Sequence, residues 1–283
     1  MDLSNKSLRY LIKALIIIGA LYVYQSGINI FNAASNTKFV VEGNELENIV
    51  TLLEEKYNID IDYTNDEKSF PDLFRLPPAS AYAKPLTKSV EHMNNTFRSV
   101  AAISGEIKKY PTKIIQEELD SIFLFTKMGI YNTSYGGTSI SKTIYMAIGE
   151  DVSDHSKLYI KRLFNHELSS IFLRRFKFPI AEWIKCNPKG FTYKTTTEDI
   201  LTMVRENGNL DGNSILYEKG FLDEYGTATL EEDFNLYVAE AFTRPKRLKE
   251  LSVQYPAIRK KVEILKKYYL GISIEFSDVF SKI

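Results

Sequence analysis

Histidine and cysteine are scarce in this chain of 283 residues: there are three histidines, His92, His155 and His166, and one cysteine, Cys186. A lone cysteine excludes a disulfide framework within one chain and any zinc site built on two thiolates. A site of three imidazoles would have to use every histidine, and their spacing argues against that. Charge of one sign is also missing, with Lys+Arg 36 against Asp+Glu 36. Binding to a polyanion rests on a basic excess, so nucleic acid is not an expected partner. What is present, 44% hydrophobic and 25% charged residues, suits a globular chain long enough to bury a sizeable core.

Residues 1–31 differ from the rest. Lys6, Arg9 and Lys13 precede an apolar run of eleven residues, Ala14 to Tyr24, and the uncharged stretch continues to Phe31. That pattern reads as a signal peptide or a signal anchor, with the basic end cytoplasmic and the remainder outside the cytoplasm. The expected location is extracytoplasmic, periplasmic or at the cell surface, and either membrane-anchored through this segment or secreted. The alternative is an amphipathic helix of the main domain. Residues 32–283 are read as one domain.

Periodicity predicts helices over Asn44–Tyr57, Ser89–Lys109, Pro111–Glu118, Ser156–Phe176 and Leu230–Phe242. A further helix over Arg247–Tyr269 carries Pro256, which should bend or break it. Strands are expected at Lys38–Val41, Ile59–Tyr63, Ser121–Phe125 and Thr143–Ile148. Asp66–Lys84 reads as a loop. Tyr131–Ser141 (YNTSYGGTSIS) reads as a polar connection between strands. In Ser156–Phe176 the apolar stripe is Leu158, Leu163, Leu168, Ile171 and Phe172, capped by Asp154 or Ser156. The basic residues Lys246, Arg247, Lys249, Arg259, Lys260, Lys261, Lys266 and Lys267 read as a solvated face. Trp183 is expected to pack, Cys186 to be an inert buried thiol, and Asn187–Phe191 to turn.

The residues that could carry chemistry lie in Phe164-Asn165-His166-Glu167-Leu168-Ser169-Ser170. A zinc hydrolase uses a neutral imidazole on the metal and a neighbouring carboxylate that takes a proton from water. His166 and Glu167 supply both on one helix. The usual second histidine stands four residues on, on the same face, and here that position is Ser170. A hydroxyl is a feeble zinc ligand, so the motif is HExxS. A blander reading makes His166 a half-buried helix histidine beside a surface Glu167. Likewise, Glu231-Glu232-Asp233 could simply dress a helix N-terminus with carboxylates.

Further on, Tyr225 precedes Glu232 by seven residues, and Phe234 and Ala239-Glu240-Ala241-Phe242 follow. This resembles the glutamate helix of gluzincin metallopeptidases, in the branch that includes anthrax lethal factor. It is also similar to a group of zinc-binding metallopeptidases exported by bacteria. The resemblance spans Thr143 to Phe242. It implies an α+β fold of zincin type, with a mixed sheet packed on the His-Glu helix and a peptide substrate adding a strand near Thr143–Ile148. It implies zinc as cofactor, His166 and Glu232 as metal ligands, Glu167 as general base and Tyr225 as donor to the substrate oxyanion. Ser170 departs from the pattern and removes one of three protein ligands. His155, eleven residues and almost three helical turns before His166, cannot share its metal on a regular helix, whereas His92 through tertiary folding, Asp233 through a shift of helix register, a water or the substrate could fill that place. The implied function is peptide hydrolysis by metal-bound water, or else a catalytically inactive module that binds a peptide or protein through the same scaffold. Substrate identity and oligomeric state are not legible in the sequence.

Overall fold

The computed structural model describes residues 43–64, 81–130, 133–149, 156–194 and 212–283. The leader and the expected strand at Lys38–Val41 lie outside the described residues, as does His155. The helices are α1 (Gly43–Tyr57), α2 (Val90–Ile107), α3 (Thr112–Glu118), α4 (Lys157–Arg175), α5 (Ile180–Ile184), α6 (Ser214–Glu218), α7 (Leu230–Thr243), α8 (Pro245–Gln254), α9 (Pro256–Ile272) and α10 (Ser277–Phe280). The strands are β1 (Asp60–Asp62), β2 (Tyr82–Lys84), β3 (Ser121–Phe125), β4 (Lys127–Ile130), β5 (Thr133–Tyr135), β6 (Gly137–Ile140) and β7 (Thr143–Ala147). No helix among the described residues is long and apolar enough to cross a membrane.

The result is an α+β arrangement with a mixed sheet. Its strand order is β1-β3-β7-β6, with β3 parallel to β1 and β7, and β6 antiparallel to β7. A second sheet, β2-β4-β5, is antiparallel throughout. Strand β7 was expected near the cleft edge, but it is interior, between β3 and β6. Its side chains from Ile144 to Ala147 are all buried, so both faces of the sheet are covered there.

The edge belongs to β6, inside the stretch expected to be a polar connection. A Gly-Thr-Ser sequence carries no strand signal of its own. The two-residue hairpin through Ser141 and Lys142, with Ser141 in the left-handed region at φ 54°, folds it back onto β7. Residues 137–139 are buried there, so packing against α4 overrides composition. The same correction applies to Asp66–Lys84, where residues 82–84 form β2 and pair with β4.

Helix α4 is the centre of the molecule. Ser156 caps it, its hydroxyl accepting from the Tyr159 backbone N–H at 3.1 Å. Apart from Lys161, every residue from Tyr159 to Phe172 is buried, so the helix is covered on all faces and not along one stripe. It packs against α7 most extensively, and against α2, β6 and β7. Surrounding it with helices forces its polar residues indoors, where each must find a partner or remain costly.

Pro256 breaks the expected long helix cleanly. It occupies the first turn of α9, where its missing N–H costs nothing. One face of α9 is not solvated: Lys261 is fully buried. Cys186 is half-exposed and not buried, with its thiol donating to the Glu182 carbonyl at 3.4 Å. Trp183 packs in the core among Phe178, Phe234 and Tyr237. Residues 187–191 do turn, with the Phe191 N–H donating to Pro188 O at 3.0 Å.

Candidate active site

Two helices bring the candidate residues together. Thr229 caps α7 by accepting from the Glu232 N–H at 3.1 Å, which sets Glu232 in the first turn. From there the Glu232 carboxyl reaches His166 on α4, with Oε2 3.1 Å from Nε2. Neither residue is more than 1% exposed. The blander reading, a half-buried histidine beside a surface glutamate, does not hold: Glu167 is only 2% exposed. Tyr225 lies buried in a short 3-10 turn, Tyr225–Thr227, just before α7, close enough for its hydroxyl to bear on the ionisation of the Glu232 carboxyl.

This cluster is polar but poorly satisfied. His166 Nδ1 and Nε2, Glu167 Oε1 and Glu232 Oε2 are all buried without a well-aligned hydrogen bond. Nε2 and Oε2 are close, but they are not aligned as donor and acceptor. Two ligands bound to one zinc ion at tetrahedral angles would sit about 3.3 Å apart, and Nε2 and Oε2 are 3.1 Å apart. Burial pushes the Glu232 carboxyl well above its ordinary value, helped by Glu231 and partly offset by the Tyr225 hydroxyl. Burial also raises Glu167 to about 8, although the neighbouring His166 pulls it down. The His166 imidazole is lowered, first by burial, with Glu167 acting against that. Every one of these shifts favours the neutral form, the behaviour of charged groups with no counter-ion in place.

Strand β6 closes one side. A Cβ added to Gly137 would stand 2.8 Å from Leu163 Cδ1 and 3.0 Å from Glu167 Oε1. Only glycine lets the edge strand lie this close to the Glu167 carboxyl. Two residues on, Ser139 accepts from Arg174 at 3.1 Å, and Arg174 also faces Glu231 at 3.4 Å. The edge strand thus runs beside α4 from Glu167 towards Arg174.

Ser170 is not directed at a cation. Its hydroxyl accepts from Asn235 Nδ2 at 2.7 Å, while Ser169 donates to Asn235 Oδ1 at 2.6 Å. The other candidates for the missing ligand are also accounted for where they are described. His92 sits at the start of α2, its Nδ1 accepting from the Thr87 N–H at 2.9 Å. Asp233 points the other way, onto Lys261 at 2.6 Å, Trp183 Nε1 at 2.8 Å and the Tyr193 hydroxyl at 2.6 Å. Among the described residues no group of three or more His, Cys, Asp or Glu side chains converges as a metal site. Of the residues expected to bind metal, the structure brings two together, His166 and Glu232. His166 Nδ1 lacks the acceptor that usually orients a ligating imidazole. Asn235, Gly137 and Arg174 were not singled out in the sequence; only the position of Asn235, three residues after Glu232 and so on the same helical face, could have drawn attention to it.

No family model matches the chain, and no curated protein does. Among solved structures, the fold is similar to a Bacteroides caccae protein described as a "putative zinc-binding metallo-peptidase", with a TM-score of 0.52 and 16% identity over 87% of this chain and 95% of that one. At that identity the likeness concerns the fold alone, a mixed sheet packed with helices.

Proposed function

We propose that this chain is a zinc-dependent peptidase of zincin type, acting on peptides or proteins outside the cytoplasm and held at the membrane, or released from it, through residues 1–31. The observation that carries the reading is the 3.1 Å approach of His166 Nε2 to Glu232 Oε2, in a buried place where both atoms lack an aligned partner. Those two residues would hold the ion, which when bound supplies Lewis acidity to a peptide carbonyl and to water. Glu167 Oε1, also unpartnered, is the atom that takes a proton from the attacking water. The Tyr225 hydroxyl, beside Glu232, is the donor to the oxyanion. A peptide would approach from the side of β6, the last strand of the mixed sheet among the described residues and the one that passes over Glu167.

A second reading is favoured by a specific observation. The Ser170 hydroxyl is engaged by Asn235 at 2.7 Å, which leaves a two-residue ligand set and supports a catalytically inactive module that binds peptides without cutting them. One experiment separates the two. The protein, purified without chelator, is analysed for zinc alongside His166→Ala and Glu232→Ala, and each is assayed on a mixed peptide library. Near-stoichiometric zinc and cleavage, both lost in the two variants, support the enzyme. Peptide binding with neither zinc nor cleavage supports the module, and zinc retained in both variants removes the site.

A further inference from the structure

The position where a second imidazole would stand is occupied by a different device. Asn235 uses both ends of its amide on α4: Nδ2 donates to Ser170 Oγ at 2.7 Å, and Oδ1 faces Ser169 Oγ at 2.6 Å, whose single proton it shares with the His166 carbonyl at 2.7 Å. All three side chains are buried. Ser170 lies one helical turn beyond His166, and Asn235 lies three residues beyond Glu232. The amide therefore joins the two helices one turn away from the point where His166 meets Glu232. In a zinc site with three protein ligands, the ion itself ties the participating helices together. Here two unlike side chains meet at 3.1 Å with no aligned hydrogen bond of their own, so that contact cannot supply the tie.

We propose that the Ser169–Asn235–Ser170 clasp takes over the mechanical part of the absent ligand, holding His166 and Glu232 at ligand spacing in the metal-free protein. Asn235 is then a positioning residue, and the site exists before any cation arrives. A buried amide with both ends satisfied is suited to this, because sliding α4 along α7 would leave its donor and acceptor unpaired without water to replace the partners. The inference rests on the proposed metal site only for what is positioned; the clasp itself is visible in the hydrogen bonds.

The test uses the full chain in detergent and follows the His166 ring resonances in the metal-free protein, the melting temperature with and without chelator, and zinc affinity. Wild type is expected to stay folded in chelator, with one cooperative melting transition and a melting temperature lower only by the stabilisation that bound zinc adds. Asn235→Leu and Ser170→Ala should move and broaden the His166 resonances and weaken zinc binding by about tenfold, the scale seen when outer partners of metal ligands are removed. Ser170→Thr, which keeps the hydroxyl, should restore both. Loss of the folded state of wild type on chelation would overturn the proposal, as would His166 resonances unchanged in Asn235→Leu and Ser170→Ala. If wild type takes up no zinc, the peptidase reading falls, while the ring resonances of the metal-free variants still decide whether the clasp positions His166.

Discussion

Glu232 and Glu240 stand on the same helix, α7, and each is 1% exposed, yet they live in opposite electrostatic surroundings. Glu240 is gripped by Arg162 of α4 and by Arg244, and Arg247 lies 3.0 Å away. Burial alone would push its carboxyl up, but the three guanidinium groups prevail and hold it at about 2. Glu232 has a neutral-leaning imidazole beside it and, among the described residues, no lysine or arginine paired with it, so burial prevails and its carboxyl rises. A fully paired buried acid is a structural rivet; one left without a cation is a place where a proton or a metal ion can be taken up. The next residue, Asp233, stands between the two cases, with its carboxyl still raised on balance. Burial pushes Asp233 up, but Lys261 at 2.6 Å, Trp183 and Tyr193 all work against it. Lys261 completes that knot among the rings of Phe221, Trp183 and Tyr237.

The sharpest way to break the comparison is to remove both acids in turn. Glu240→Ala leaves Arg162 buried beside two other arginines, and should destabilise the fold by roughly 3–5 kcal/mol in urea unfolding. Glu232→Gln, which removes a carboxyl that had no cation, should change the stability of the metal-free protein by less than about 1 kcal/mol. Equal losses in the two variants would erase the distinction. Next in size is Lys261→Met. It strands Asp233 in the core and should cost about 3 kcal/mol, with much of that recovered in the double variant carrying Asp233→Asn.

The pH dependence of folding should carry the signature of Glu240. Its folded pKa of about 2 lies below the ordinary 4.5, so the unfolded chain binds the proton more readily. The stabilisation is then fully present above about 4.5 and is lost as pH falls towards about 2, with a total on the order of 3 kcal/mol. Denaturation midpoints measured between those limits should flatten in Arg162→Met, which removes one of the three cations. Smaller still is Gly137→Ala. Its Cβ would press on Leu163 and Glu167, and should cost roughly 1 kcal/mol. If the Glu167 side chain is displaced, the pH titration of Glu167, followed by NMR, should shift back from about 8 towards its ordinary value.

How far the sequence could be read depended on the range of the interaction. Helix α4 and its Ser156 cap are local patterns, and they stand where periodicity put them. The Pro256 break is equally local. Strand β6 has no local pattern: Gly137, Thr138 and Ser139 become a strand only because β7 and α4 lie on either side. Lys261 and Arg247 looked like members of a solvated basic face. Their partners, Asp233 and Glu240, stand 28 and 7 residues away and are met only through packing. The site divides the same way. His166 and Glu167 were legible as neighbours, and Glu232 and Tyr225 through a resemblance of motif. The Asn235 amide that engages Ser170 was invisible, because nothing in the spacing of Ser169, Ser170 and Asn235 says that they touch.

From the sequence alone came the kinds of groups available: one imidazole and one carboxyl adjacent on a helix, a second carboxyl on a later helix, and a serine where an imidazole was expected. Only the tertiary structure decided which of the buried acids was neutralised and which was left open. That choice depends on whether a lysine or arginine from a distant element reaches into the same low-dielectric space, and side-chain reach across packed helices is not written in the order of residues.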